Sequence, residues 1–337
     1  GKTTAASMLA WILEDAGLNP GFLIGGIPAN FGVSARFGDS KYFVVEADEY
    51  DTAFFDKRAK FVHYRPRTLV LNNLEFDHAD IYKDLDAIFW QVHQLMRMVP
   101  RAGRVIRNGG DENLGELLDR GCWTPVETFG GDDGSDWGAR FINANQRRLA
   151  MTNPSGVTAK VRWHMSGQHN LENALAAVAA AQSAGVGFEQ AVDALSRFEG
   201  VKRRMERTAT VANIAIYDDF AHHPTAIRRT IHAVRKRYPG HRVIVAIEPR
   251  SNTMKLVVHN EARARSLADA DIVWLFRPPE LGVEFEKSLV PLGDKLRLHK
   301  DYDKLVSDMS TKVLSGDQVV FMSNGGFGGA RQTLTAV

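Results

Sequence analysis

Short, nearly continuous apolar runs recur along this chain, at 42–45, 68–71, 214–217, 243–247, 272–276 and 319–322, with 104–107 as a further β-rich stretch. Most of them stop at a polar or glycine-rich turn. Runs of that length without polar alternation read as strands covered on both faces, and hence as members of parallel sheets. Between them lie stretches of helical period near 2–16, 84–99, 112–120, 170–184, 188–198, 225–238, 261–267 and 302–314. Strand and helix in alternation predict an α/β protein with doubly wound, mainly parallel sheets.

The alternation breaks once. Residues 121–165 carry a turn cluster, Gly130-Gly131-Asp132-Asp133-Gly134, and short alternating runs such as 158–163 that predict antiparallel strands at a domain edge. It restarts after Gly200 and the basic run Lys202-Arg203-Arg204, which places a boundary near residue 206 and divides the 337 residues into domains 1–205 and 206–337. Lys plus Arg is 42 against 40 Asp plus Glu, a net charge of +2 that offers no field for capturing nucleic acid or a membrane surface. No apolar run approaches the roughly 18–20 residues of a membrane span, and no signal segment opens the chain. Cys122 is the only cysteine, which excludes an internal disulfide and a thiolate zinc site. A cytoplasmic α/β protein of two domains is the expectation.

The candidate chemistry sits at the strand ends. Gly1-Lys2-Thr3-Thr4 matches the close of a phosphate loop, G-x-x-x-x-G-K-[ST], and opens a helix. Lys2 would reach phosphates and the Thr3 hydroxyl would help hold Mg²⁺; a polar helix start that happens to carry a lysine is the plain alternative. Glu46-Ala47-Asp48-Glu49-Tyr50-Asp51 follows the 42–45 run, and Glu46 is the carboxylate best placed for a phosphate-bound Mg²⁺, unless the segment is a solvated acidic loop. Asn72-Asn73-Leu74-Glu75-Phe76-Asp77-His78 follows the 68–71 run and offers an imidazole for a metal. Together the three would converge on one edge of one sheet. Asn170 and Asn173, in Gly167-Gln168-His169-Asn170-Leu171-Glu172-Asn173, lie one helical turn apart, so their amides share a face and could read a base edge; helix capping by Asn170 competes.

The second half repeats the arrangement. Asp218-Asp219-Phe220-Ala221-His222-His223-Pro224, Glu248-Pro249-Arg250-Ser251-Asn252-Thr253-Met254-Lys255 and Ser323-Asn324-Gly325-Gly326-Phe327-Gly328-Gly329 each close a strand. Three such turns on one sheet edge describe a second ligand surface.

In this order, the motifs closely resemble the Mur ligase family, the ATP-dependent ligases of bacterial cell-wall precursor synthesis. The resemblance runs from Gly1 to about Arg331 and points to the muramate-ligating branch, closest to the member that ligates the murein tripeptide in peptidoglycan recycling. It implies a phosphate-loop ATPase central domain followed by a Rossmann-like C-terminal α/β domain. It also implies that Gly1, Lys2, Thr3 and Thr4 bind ATP phosphates, and that Thr3, Glu46 and His78 hold Mg²⁺. Asn170 and Asn173 would contact adenine with His169 beside them, and Arg204 and Asp219 would complete the nucleotide site. His222, His223, Arg250, Ser251, Asn252, Thr253 and Asn324 would hold the incoming amine, with His222 and His223 open as general bases.

The implied reaction phosphorylates the lactyl carboxylate of UDP-N-acetylmuramate and passes the acyl phosphate to the amine of L-alanyl-γ-D-glutamyl-meso-diaminopimelate. Two departures stand out. The family's carbamylated lysine has no counterpart, since Lys83 lies too early and His93 sits near its place. The family's N-terminal domain, which grips the uridine diphosphate, and the front of the phosphate loop are expected before Gly1, so that this stretch by itself would be inactive. The alternatives are a UDP-N-acetylmuramate–L-alanine ligase, a folate-type glutamate ligase, an unrelated phosphate-loop kinase or NTPase, and a non-catalytic remnant.

Overall fold

A computed structural model describes residues 1–76, 81–130, 134–250, 260–279, 281 and 283–336. The chain forms two compact units, 1–201 and 202–337, so residues 202–205, which the sequence pattern leaves with the first domain, cluster with the second.

The first unit opens with α1 (Lys2–Asp15), followed by β1 (Gly21–Leu23), β2 (Ala35–Arg36) and β3 (Phe43–Val45). β4 (Thr68–Leu71), α2 (Leu85–Arg97), β5 (Arg104–Asn108), α3 (Glu112–Asp119) and β6 (Val126–Phe129) come next. Then follow β7 (Gly138–Phe141), β8 (Arg148–Thr152), β9 (Thr158–Arg162), α4 (Gln168–Ser183) and α5 (Phe188–Ala194). β4, β5 and β6 form a parallel sheet, and β7, β8 and β9 the antiparallel meander expected of the 121–165 stretch.

One expectation needs correction. The 42–45 and 68–71 strands do not share a sheet: β3 pairs in parallel with β1, which also pairs with β2, whereas β4 pairs with β5. The link between the sheets is helical. α4 packs on β4 and β5, and α1 packs on both α4 and β3. Six alanines of α4 between Ala174 and Ala181 are at most 4% exposed, and side chains that small let α1 approach closely. Met8, Ile12 and Leu13 of α1 join Leu175 and Val178 of α4 in the same core.

The second unit is one six-stranded sheet of β10 (Glu206–Val211), β11 (Ile214–Asp219), β12 (Val243–Ile247), β13 (Ile272–Phe276), β14 (Leu296–His299) and β15 (Gln318–Met322). Its order is β10-β11-β15-β12-β13-β14, with β10 antiparallel and the rest parallel. α6 (Pro224–Arg237) and the helices Asn260–Leu267, Val283–Lys287, Tyr302–Lys312 and Ala330–Ala336 complete it. β12 and β15 are buried at every position, as their apolar runs 243–247 and 319–322 require, with Gln318 buried at the start of β15.

Helix starts separate into two kinds. α2, α3, α6 and the Tyr302–Lys312 helix are capped by the side chains of Asp84, Asp111, His223 and Asp301. α1 and α4 begin after Gly1 and Gly167 with no side-chain cap. Among the described residues, no helix is long and apolar enough to cross a membrane.

Candidate active site

Although their strands lie in separate sheets, the three strand-end motifs of the first unit do meet at the start of α1. Thr3 Oγ1 donates to Glu46 Oε1 at 2.7 Å, and the second oxygen of Glu46 accepts the Gly25 N–H at 2.6 Å. Glu46 is therefore held at both oxygens, one residue past β3. Lys2 Nζ donates to both oxygens of Glu49, at 2.8 and 2.7 Å, and the Tyr82 hydroxyl holds the Glu49 carbonyl at 2.5 Å. Lys60 pairs with Asp48 at 2.9 Å and Lys57 with Asp51 at 2.7 Å. Of the four carboxylates in this turn, three face lysines, while Glu46 takes a hydroxyl and a backbone amide.

The third motif arrives through amides. Asn72, just past β4, donates Nδ2 to Asn173 Oδ1 at 3.1 Å; Asn173 donates to Asn170 Oδ1 at 3.3 Å, and Asn170 to the Ser166 carbonyl at 2.9 Å. The capping account of Asn170 does not hold, because Gly167 is the N-cap. Asn170 and Asn173 are 5% and 4% exposed, and the relay sets Asn173 against Gly1. A Cβ at Gly1 would overlap Asn173 Oδ1 and lie 3.1 Å from Asn72 Nδ2, so the backbone can come this close only as glycine.

The donor chemistry suits Mg²⁺, a hard cation that takes oxygen ligands and keeps several waters. Thr3 Oγ1 and Glu46 Oε1 are two oxygens already 2.7 Å apart beside an uncapped helix start. The Asn72 Oδ1 atom is also buried there without a hydrogen-bond partner among the described residues. No cluster of three or more His, Cys, Asp or Glu suited to a metal occurs among the described residues. His78 lies outside them. His93 is engaged elsewhere, with Nε2 3.2 Å from the Gly121 carbonyl and its ring 6.0 Å from that of Trp123.

In the second unit, β11, β15 and β12 are parallel neighbours, so their three C-terminal turns lie side by side. Ser323 N–H donates to the Asp219 carbonyl at 3.1 Å, and Glu248 N–H to that of Met322 at 3.0 Å. Asp219 is buried and accepts from Met205 N at 2.8 Å and Ala221 N at 2.7 Å. Burial pushes its carboxyl up, against those two amides and the nearby Arg204 and Arg203. Arg204 and Arg203 both lie over the Phe220 ring, at 4.9 and 5.2 Å. His222 Nδ1 lies 2.9 Å from the Phe220 carbonyl, while His223 Nδ1 accepts from Thr225 N at 3.3 Å as the cap of α6.

Sequence pattern misses the centre of this edge, Glu248. It is 1% exposed and accepts from Ser323 Oγ at 2.7 Å, Phe327 N at 3.2 Å and the Tyr302 hydroxyl. Such a buried carboxylate shapes the 323–329 turn from inside. Arg250 Nε lies 3.4 Å from Glu248 Oε1, yet the side chain is 56% exposed and drapes over Gly325, where a Cβ would strike it. Asn324 Oδ1 is buried with no partner among the described residues. Ser251, Asn252 and Thr253 lie outside them.

Comparison with known proteins finds two domain families along the chain. The Mur ligase middle domain matches residues 1–181, and the Mur ligase, glutamate ligase domain matches 203–325. A relative from Haemophilus influenzae, named UDP-N-acetylmuramate–L-alanyl-gamma-D-glutamyl-meso-2,6-diaminoheptandioate ligase, is 46% identical over 335 residues, covering 99% of this chain and 74% of its own length. A relative of the same name from Escherichia coli is 45% identical, covering 99% and 73%. The crystal structure of a murein peptide ligase from Psychrobacter arcticus aligns with TM-score 0.75 and 42% identity, over 100% of this chain and 75% of that one.

Proposed function

The chain belongs to the Mur ligase family of ATP-dependent carbon–nitrogen ligases, and we propose that it joins L-alanyl-γ-D-glutamyl-meso-diaminopimelate to UDP-N-acetylmuramate, the reaction for which its bacterial relatives are named. A carboxylate and an amine do not condense unaided. In this reading, the lactyl carboxylate attacks the γ-phosphorus of ATP, ADP leaves, and the peptide amine displaces phosphate from the resulting acyl phosphate.

The residues have distinct tasks. Lys2 leaves Glu49 for the phosphates, placing its charge where the transferring group becomes more negative. Thr3 and Glu46 would hold Mg²⁺, with His78 as a further ligand. When bound, the ion neutralises phosphoryl charge. Gly1 and Thr4 present backbone N–H groups at the α1 start. Asn170 and Asn173, with Asn72 behind them and His169 adjacent, fix the nucleotide. His222 and His223 border the turn that receives the amine, and either can take its proton. Phosphate, ADP and the UDP-sugar are small-molecule ligands, and a preceding domain for the uridine diphosphate completes the enzyme, which acts in the cytoplasm.

The observation that carries the peptide reading is Arg250, half-exposed across Gly325 and beside Asn324. A tripeptide brings carboxylates that L-alanine lacks, and a guanidinium fork suits them. Arg250→Ala in the full-length protein should raise the tripeptide KM by about tenfold or more, as loss of a charge-assisted bond requires. Unchanged tripeptide kinetics would remove Arg250 from the site.

A further inference from the structure

Arg203 is the neighbour of the nucleotide-site candidate Arg204, and its side chain reaches the backbone of the 323–329 turn. Its Nη2 donates to the Ser323 carbonyl at 2.8 Å and also to the Gly325 carbonyl, and its Nε lies 3.5 Å from Asp218 Oδ2. One guanidinium nitrogen thus holds the carbonyls of the residues before and after Asn324. Its backbone is clamped as firmly. Arg203 N donates to Glu206 Oε2 at 2.8 Å, and Phe220 N donates to the Arg203 carbonyl at 2.8 Å. Both Arg203 and Met205 sit at positive φ, +59° and +51°, a left-handed backbone that non-glycine residues adopt at a cost. That strain is held in place by Glu206, Phe220 and Asp219.

We propose that Arg203 is a positioning residue for the incoming peptide: by fixing the carbonyls of Ser323 and Gly325, it holds Asn324 and the backbone under Arg250 in the geometry that receives the amine substrate. This rests on the reading of the 323–329 turn as the peptide seat. Arg203 touches no substrate in this account. Lysine keeps a charge but has no Nε to face Asp218 while its terminal nitrogen holds both carbonyls, so Arg203→Lys should fail as a replacement.

The test is steady-state kinetics of the full-length protein with UDP-N-acetylmuramate, ATP and the tripeptide, comparing Arg203→Lys, Arg203→Gln and Asn324→Ala. Both Arg203 variants should raise the tripeptide KM by about tenfold, with ATP KM changed by less than about twofold. Asn324→Ala should raise the tripeptide KM as well. If the glutamine variant unfolds, the lysine variant carries the comparison. A raised tripeptide KM in Asn324→Ala beside an unchanged one in Arg203→Lys overturns the role of Arg203 alone. An unchanged KM in Asn324→Ala overturns the turn's assignment and this inference with it. A parallel rise in ATP KM in Arg203→Lys marks a general structural part and also overturns it.

Discussion

Thr3 and Glu46 stand 43 positions apart in sequence, yet the hydroxyl of one donates to the carboxylate of the other at 2.7 Å. The contact joins the first turn of α1 to the end of β3. If it marks the metal site, Glu46→Gln is the informative change, since glutamine keeps the size and one acceptor for Gly25 N–H. Folding stability should shift by less than about 1 kcal/mol. The Mg²⁺ concentration for half-maximal ATP consumption should rise at least about tenfold. Identical Mg²⁺ titrations for variant and parent would take Glu46 out of the site.

Lys2 tests the phosphate loop. Its side chain is 49% exposed and its partner Glu49 19%, and an ion pair of that exposure contributes only about 0–1 kcal/mol to folding. Lys2→Ala should therefore leave the melting temperature nearly unchanged while cutting ATP turnover by at least about a hundredfold. Near-normal turnover in a well-folded variant would end the assignment.

Much of this was legible in sequence, and the gaps have physical causes. The buried strands β4, β11, β12, β13 and β15 announce themselves as apolar runs, and the polar turns after three of them mark the second ligand edge. β1 has three residues and β2 two, too few to show any period. β10 was hidden because it is a largely exposed edge strand, and the link to β11 is Ala212-Asn213, both at positive φ, without the glycine that usually betrays such a hairpin. The separation of β3 from β4 could not be read, because pairing partners are set by helix packing far along the chain. Glu248 looked like any polar residue at a strand end. Only the fold reveals that Ser323, Phe327 and Tyr302 close over it.

Gly328 supplies a stability test of that closure. Its φ is +56°, and a Cβ there would lie 2.5 Å from ring atoms of Tyr302. The ring cannot retreat, since it stacks on Phe276 at 3.7 Å and bonds Glu248. Gly328→Ala should destabilise the protein by about 1–3 kcal/mol, read by denaturant unfolding. A variant as stable as the parent would show that the turn is looser than described.

Asp308, which has no assigned ligand role, gives a pH signature. Burial pushes its carboxyl up, but hydrogen bonds from Trp274, Lys312 and His299 outweigh that and hold it below the ordinary 3.8. A depressed carboxylate contributes stability that is present above its unfolded value and lost as pH falls through the folded one. Asp308→Asn should therefore be less stable than the parent at neutral pH, with the gap closing as pH drops below 3.8. A gap that stays constant from neutral to acid would contradict the ionic account.

The central claim is the choice of amine, and a direct competition decides it. Full-length protein is supplied with ATP, Mg²⁺ and UDP-N-acetylmuramate, and phosphate release is followed with either L-alanyl-γ-D-glutamyl-meso-diaminopimelate or free L-alanine. A site built around Arg250 and the 323–329 turn leaves polar groups unpaired when the smaller amine binds. The account predicts a kcat/KM for the tripeptide at least about a hundredfold above that for L-alanine. Equal or greater efficiency with L-alanine would contradict it.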